Sequence, residues 1–340
     1  MIDPVRELLA GEEAYVVGGA VRDELLGRPI VDVDIACGVP EQAARAYARQ
    51  VGGAPFPLSE RHGAWRVALR DGRTVDFTPL RDGIEADLAT RDFTINAIAR
   101  PLGSGEDVDP FGGVEDLERG VIRVVSERVF ADDPLRLLRA VRLEDDLGFR
   151  IETRTERLVR EHAREVTRPA GERILGELER LSVAGFRRLA ELGLLEELGG
   201  SLDRADVADA VDSPDYRLVA FLGEAIGLLP ISRGRRRYAI ALLRSEPLDD
   251  ASPRAIHRFR RRVEPWAIDA LALHGRLELA DAIRDARSRE PVEPLVRGDE
   301  LGLPPGPEIG RLLDLIEEEQ AAGTITTREE ALDFVRRRAR

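Results

Sequence analysis

Asp32 and Asp34 stand one residue apart inside the apolar run Val31-Asp32-Val33-Asp34-Ile35. Side chains two positions apart on a strand project from the same face, so this pair can converge on a single cation. Upstream, Tyr15-Val16-Val17 empties into Gly18-Gly19, and Ala20-Val21-Arg22-Asp23-Glu24-Leu25-Leu26 reads as a short helix. The glycines leave backbone N–H groups bare at a helix start, where a phosphate is welcome. A metal site beside a phosphate cradle is the equipment of nucleotidyl transfer, in which cations neutralise a triphosphate and activate an attacking hydroxyl. Each half has a plainer reading. A glycine pair is commonly only a tight turn, and a lone Asp-x-Asp is commonly a solvated loop. The Val/Ile setting favours the ligand role, because an unpaired carboxylate there is costly to desolvate.

The elements that must position these residues alternate strand and helix. Residues 14–19 and 31–37 read as strands and 40–51 as a helix. Residues 65–70 and 74–78 form a hairpin around Asp71-Gly72-Arg73. A short helix is expected within 85–100 and a further strand over 120–125. After Phe130 the strand signals stop and apolar residues recur at helical spacing. The composition thus shifts from mixed α/β to all-α near residue 127. The Pro- and Gly-bearing stretch 291–307 reads as a connector into helices over 308–320 and 327–338. Thr327 and Glu330 have capping-box spacing for the last of these.

With 340 residues, 43% of them hydrophobic, the chain can bury a substantial core in more than one domain. No apolar stretch approaches membrane-spanning length, and the N-terminus lacks the basic-then-apolar layout of a secretion signal, so a cytoplasmic location is expected. Cys37, the only cysteine, excludes an intrachain disulfide and a thiolate-rich zinc site. The net charge of −13 argues superficially against nucleic acid, but phosphate binding depends on local patches. Arginine clusters at 233–237, 258–262 and 336–340, for each of which a solvated helix face is the plain reading. Lysine is absent throughout.

Further residues extend the constellation. Asp76, on the second hairpin strand, could add a third carboxylate as base or ligand, or face solvent. In Thr90-Arg91-Asp92-Phe93-Thr94-Ile95-Asn96-Ala97, polar Arg91, Asp92 and Asn96 are interleaved with apolar residues, as on one helix face. Arg suits a triphosphate and Asp a ribose hydroxyl, while an ordinary helix cap is the alternative for Asp92. In Asp132-Asp133-Pro134-Leu135-Arg136, Asp133 is placed to cap a helix that has Pro134 in its first turn. Arg136, Arg139 and Arg142 follow as a cationic stripe. Asp plus Arg offer an acceptor and donors suited to a base edge.

Together these pieces resemble the class II tRNA nucleotidyltransferases, the family of CCA-adding enzymes and bacterial poly(A) polymerases, over 14–180 and again over 302–338. Gly18-Gly19-x-Val21-Arg22-Asp23 with Asp32-x-Asp34 looks like the family's metal and triphosphate motif, and Arg91–Ala97 like its ribose-selecting motif. Asp109-Pro110-Phe111-Gly112-Gly113 with Asp116-Leu117 matches the join of head and neck. Asp132-Asp133-x-x-Arg136 is similar to its amino-acid template for the incoming CTP or ATP, and Glu172-Arg173-Ile174 to the motif that buttresses it. Thr90 stands where the family usually has a first arginine, and Asp132 replaces a glutamate. The stretch from Asp76 to Arg91 is short, whereas CCA-adding members usually carry a longer flexible loop there. Its loss is a hallmark of CC-adding members. None of His62, His162, His257 and His274 precedes an aspartate, so the family's second, phosphohydrolase site is not implied.

The resemblance implies an α+β chain: a nucleotidyltransferase (polymerase-beta-like) head with a mixed sheet over 1–126, then an all-α neck at 127–182, body at 183–290 and tRNA-binding tail at 291–340. Asp32 and Asp34 would hold Mg²⁺, with Asp76 a further catalytic candidate. Gly18, Gly19, Arg22, Arg91, Arg139 and Arg142 would bind the triphosphate, Asp92 would sense the ribose 2′-OH, and Asn96 is a further nucleotide-binding candidate. Asp133 and Arg136 would select the base. The partners implied are a tRNA 3′ end, CTP and ATP, with no membrane. Poly(A) polymerase activity is the near alternative and a non-catalytic RNA-binding relative the distant one.

Overall fold

The computed structural model describes residues 1–59, 63–291 and 293–338. His62 and the last two residues of the 336–340 arginine cluster lie outside the described residues. Two compact units result, Met1–Leu198 and Gly199–Arg340.

The first unit is built on a six-stranded sheet. Its strands are β1 (Ala14–Val17), β2 (Asp32–Cys37), β3 (Ala54–Ser59), β4 (Ala64–Ala68), β5 (Thr74–Pro79) and β6 (Ala99–Pro101), in the order β3-β4-β5-β2-β1-β6. The β2–β5 pair is parallel and the others antiparallel, so the sheet is mixed, as expected. The parallel pair needs a crossover, which the helix Pro40–Val51 begins. Its Tyr47 ring lies 5.8 Å from that of Phe77 on β5, and both are fully buried. β3 forms one edge of the sheet and carries Pro55 and Pro57. The hairpin turn closes as its residues predict. Gly72 takes φ +87°, and the Asp71 carboxylate accepts from the Arg73 amide at 3.1 Å.

Two expectations need correction. The helix expected within 85–100 runs only over Ile84–Ala89, and Arg91, Asp92 and Asn96 do not share a helix face. Phe93 is extended and bridges Val124, followed by a 3₁₀ turn at Thr94–Asn96. The backbone bonds of this segment go sideways instead of along a helix: Thr94 donates to the Arg123 carbonyl at 2.9 Å and Val125 to that of Asp92 at 3.1 Å. Phe93, Ile95, Ala97 and Ile98 are all fully buried, so no side of the segment faces water as an amphipathic helix would. Strand structure also persists past Phe130. Gly148, at φ +65°, ends the helix Leu135–Leu147, and β8 (Arg150–Ile151) then pairs in parallel with β7 (Val121–Ile122).

The second unit is helical. One apolar cluster gathers Ile256, Phe259, Val263, Leu271 and Ile283. Another gathers Val296, Leu312, Ile316, Ile325 and Val335 around the helices Pro307–Ala321 and Arg328–Arg338. The capping box at the last helix is present in both directions, Glu330 N to Thr327 Oγ1 at 3.3 Å and Thr327 N to Glu330 Oε2 at 3.1 Å. No helix of the described residues is long and apolar enough to cross a membrane.

Candidate active site

β2 alternates exposed Asp32, buried Val33, partly buried Asp34 and buried Ile35, so both carboxylates leave the face that Val33 and Ile35 bury. The parallel register sets Asp34 beside Asp76 and Asp32 beside Thr74. Thr74 Oγ1 donates to Asp32 at 2.7 Å. Asp76 is occupied differently: Arg66 on β4 clamps both its oxygens, each at 2.7 Å. Burial pushes the Asp34 carboxyl up. Arg91 and Arg66 oppose the shift, while Asp76 and Asp32 add repulsion. A half-buried carboxylate beside two others, with only partial cationic compensation, fits a divalent cation. Among the described residues no three His, Cys, Asp or Glu side chains are gathered tightly enough to hold a metal by themselves. Mg²⁺ does not require that, since it is usually held through one or two carboxylates, with water and phosphate oxygens completing its shell.

Gly18 borders this acidic pair. At φ +73° and ψ −133° it adopts a backbone that L side chains rarely take. A Cβ there would meet Arg91 Nη1 at 3.1 Å and Asp34 Oδ2 at 3.5 Å. The glycine therefore keeps open the space in which a cation and an acidic group face each other. Its own N–H is not bare, because it donates to the Ile98 carbonyl at 3.3 Å. The helix Gly19–Leu25 that follows has no side-chain cap, so any free donors are the amides after Gly18.

From Arg22 a continuous polar chain runs inward. Arg22 Nη1 donates to Asn96 Oδ1 at 2.7 Å, and Asn96 Nδ2 donates to Asp92 Oδ1 at 2.9 Å. Asp92 also accepts from the Phe93 amide at 2.8 Å and from Arg139 Nε at 2.7 Å. Arg139 lies 3.6 Å from Glu177, which accepts from Arg142 Nε at 2.5 Å. Burial alone would raise the Asp92 carboxyl, but Arg139, Asn96 and the Phe93 amide outweigh it and hold it low. Burial drives the Arg142 guanidinium down, against the pull of Glu177.

Arg136, Arg139 and Arg142 are therefore not one solvated stripe. Arg142 is buried against Glu177, Arg139 is shared between two carboxylates, and Arg136 donates to the Thr90 carbonyl at 2.6 Å. The helix they occupy starts at Leu135 with Pro134 as its cap residue, and the Asp133 carboxylate accepts from the Leu135 amide at 3.2 Å. Asp133 is also held by Arg173 at 2.7 Å, linking the template-like and buttress-like motifs. Arg91 pairs with Asp87 at 2.8 Å, one turn back along its own segment.

Sequence reasoning passed over Arg66 and Glu177. Glu177 carried a signal: it sits with Ile174 and Leu178 at helical spacing, on the buried side of Gly171–Leu178, where a carboxylate needs a partner. Arg66, one of several polar residues in a hairpin strand, carried none.

Known proteins resemble this chain in sequence and in fold. Residues 14–83 and 65–123 match the family model described as Poly A polymerase head domain, and 148–203 match "Probable RNA and SrmB- binding site of polymerase A". A CC-adding tRNA nucleotidyltransferase of Geobacter sulfurreducens is 34% identical over 96% of this chain and 92% of that protein. An A-adding tRNA nucleotidyltransferase of Deinococcus radiodurans is 32% identical over 95% of both. The structure of a Thermotoga maritima CCA-adding enzyme complexed with tRNA superposes with a TM-score of 0.76 at 27% identity, over 99% of this chain and 95% of that one. Likeness that spans nearly the full length of relatives with both narrower activities places the chain in the class II tRNA nucleotidyltransferase and poly(A) polymerase family.

Proposed function

We propose that this chain extends the 3′ end of tRNA without a nucleic-acid template, adding CMP from CTP and stopping at CC. The observation that carries the nucleotidyl-transfer reading is the Asp32–Asp34 pair beside the Gly18 opening and Arg91. Asp32 and Asp34 would hold Mg²⁺, which when bound lowers the pKa of the RNA 3′-hydroxyl and stabilises charge on the α-phosphate and departing pyrophosphate. Arg22 and Arg91 bind the triphosphate. Asp92, oriented by Asn96 and Arg139, takes the ribose hydroxyl, and Asn96 couples it to Arg22. Asp133 and Arg136 read the base edge. Asp76 acts through Arg66, fixing a guanidinium next to the acidic pair. Arg139 supports the nucleotide through Asp92, and Arg142 holds Glu177, which faces Arg139 in turn.

The limit to CC rests on the connection from Asp76 to Arg91. β5 ends at Pro79, the Leu80 amide is pinned to the Cys37 carbonyl at 2.8 Å, and the next helix opens at Ile84. That leaves no room for the long flexible loop of CCA-adding members. The test is to give a tRNA transcript lacking its CCA both CTP and ATP with Mg²⁺ and to sequence the products. Ends at CC support the proposal. Ends at CCA, addition of A alone to a CC-ended transcript, or an A tract on unrelated RNA would each replace it with the corresponding activity.

A further inference from the structure

We infer that Phe56 and Arg66 seat the RNA strand as it enters the site: the Phe56 ring stacks on the base next to the 3′-terminal nucleotide, and Arg66 meets the phosphate that joins the two. The inference rests on the nucleotidyl-transfer reading above.

Strand register lays four side chains in one row across the sheet. Asp34 on β2 lies opposite Asp76 on β5, Asp76 opposite Arg66 on β4, and Arg66 opposite Phe56 on β3. Residues paired in this way point to the same side of a sheet. The other side is taken by the helix Pro40–Val51, whose Tyr47 meets Phe77 and whose Arg45 lies over the Trp65 ring at 4.7 Å. Trp65 and Phe77 are themselves opposite each other, one residue out of step with Arg66 and Asp76. The side that carries Asp34 stays open over β3 and β4, where Ala54 is exposed and Arg66 and Ala68 are half-buried. Phe56 keeps 41% of its surface in water.

The chemistry gives that row a direction. β2 lies between β1 and β5. Gly18 follows β1, Arg22 stands on the next helix, and Arg91 Nη1 would be 3.1 Å from a Cβ on Gly18. The groups proposed to hold the triphosphate therefore lie on the β1 flank of the acidic pair. In nucleotidyl transfer the attacking oxygen and the departing pyrophosphate stand roughly in line across the phosphorus. With the pyrophosphate on the β1 flank, the RNA 3′-hydroxyl must arrive over β5, β4 and β3. Phe56 is three strands from Asp34, about 14 Å at ordinary strand spacing, which is the range of the base before the terminal one.

The two side chains suit that occupant. Arg66 gives Nε and Nη2 to Asp76, each at 2.7 Å, and its Nη1 has no protein acceptor among the described residues. A guanidinium fixed along one edge offers the other to a phosphate oxygen without having to be freed first. Beyond it, an exposed ring supplies a flat apolar surface. A cation beside an aromatic platform binds single strands, and stacking accepts any base.

The experiment uses the full chain and a tRNA lacking its last two nucleotides, with 2-aminopurine in place of the base before the terminal one. Phe56→Ala is expected to raise the KM for this RNA about tenfold while the KM for CTP keeps its wild-type value. The 2-aminopurine should also be brighter in the Phe56→Ala complex than in the wild-type complex, because its stacking partner is gone. Phe56→Trp should restore both readings. Phe56→Leu, apolar but without a ring, should behave as Phe56→Ala and covers the case of a misfolded alanine variant. Arg66→Gln/Asp76→Asn, which removes the ion pair at constant net charge, should make the log K against log salt slope of RNA binding shallower by about one. Wild-type KM and emission in Phe56→Ala would overturn the stacking seat, as would equal rises in both KM values, the mark of a loosened fold. An unchanged salt slope would overturn the phosphate contact. Should the wild type add no nucleotide, the parent reading fails, while the emission of the wild-type and Phe56→Ala complexes still decides the seat.

Discussion

Glu177 accepts from Arg142 at 2.5 Å, with both side chains about nine-tenths shielded from water, and the same carboxylate faces Arg139 at 3.6 Å. Arg139 in turn holds Asp92. Glu177, on Gly171–Leu178, is thereby connected through Arg139 to a carboxylate that borders the site. A buried ion pair contributes little net stability, but removing one partner leaves a stranded charge. Glu177→Gln should cost about 3–5 kcal/mol in denaturant unfolding, and Glu177→Gln/Arg142→Met should recover much of it. A single variant as stable as the wild type would show that Arg142 finds water instead.

Asp34→Asn should uncouple stability from activity. The substitution removes a desolvated carboxylate that is repelled by Asp76 and Asp32, so the melting temperature should rise by a few degrees without metal. Nucleotide addition should fall by about a thousandfold or more, the scale of losing several kcal/mol of transition-state charge stabilisation. Asp32→Ala should abolish addition while leaving the fold intact. Near-normal addition by either variant with Mg²⁺ present would remove the carboxylate pair from the mechanism.

Acid should loosen the structure through Asp92. Its folded-state carboxyl is held below the ordinary value, so it contributes stability that is fully present above the unfolded value of about 3.9 and is lost as pH falls through the folded one. Wild type should therefore melt above Asp92→Asn at pH 7, with the gap closing in acid below about pH 4. A gap that stays constant down to strong acid would mean that Arg139 and Asn96 do not hold the charged form.

Base choice should respond to Arg136. Its guanidinium already rests on the Thr90 carbonyl, so its approach to a base edge is fixed by the end of the helix Ile84–Ala89. Arg136→Ala should narrow the preference between CTP and ATP more than it weakens triphosphate binding, measured as kcat/KM for each nucleotide. An unchanged preference would move base reading elsewhere.

Much of this was legible in the residues. The period-2 placement of Asp32 and Asp34, the Asp71-Gly72 turn and the Thr327–Glu330 box are local features, and local rules decide them. The segment Arg91–Ala97 reads as a helix face in sequence because its apolar residues are buried on every side by tertiary packing, a state that helical periodicity cannot distinguish from an amphipathic face. The partners of Arg139 and Arg142 were invisible for a related reason. An arginine stripe looks the same in sequence whether it meets water or a carboxylate on a helix 35 residues away, as Arg142 meets Glu177.

The prolines of β3 have a consequence for the molecule at high concentration. Pro55 and Pro57 share one parity, and a proline has no N–H to give, so the strand keeps its pairing with β4 through the intervening residues. The strand's edge then lacks the amide donors that Pro55 and Pro57 would otherwise supply, which hinders an unrelated strand from zipping onto it. This guards the exposed flank of the sheet against fibre-like stacking while Phe56 and Leu58 remain uncovered there.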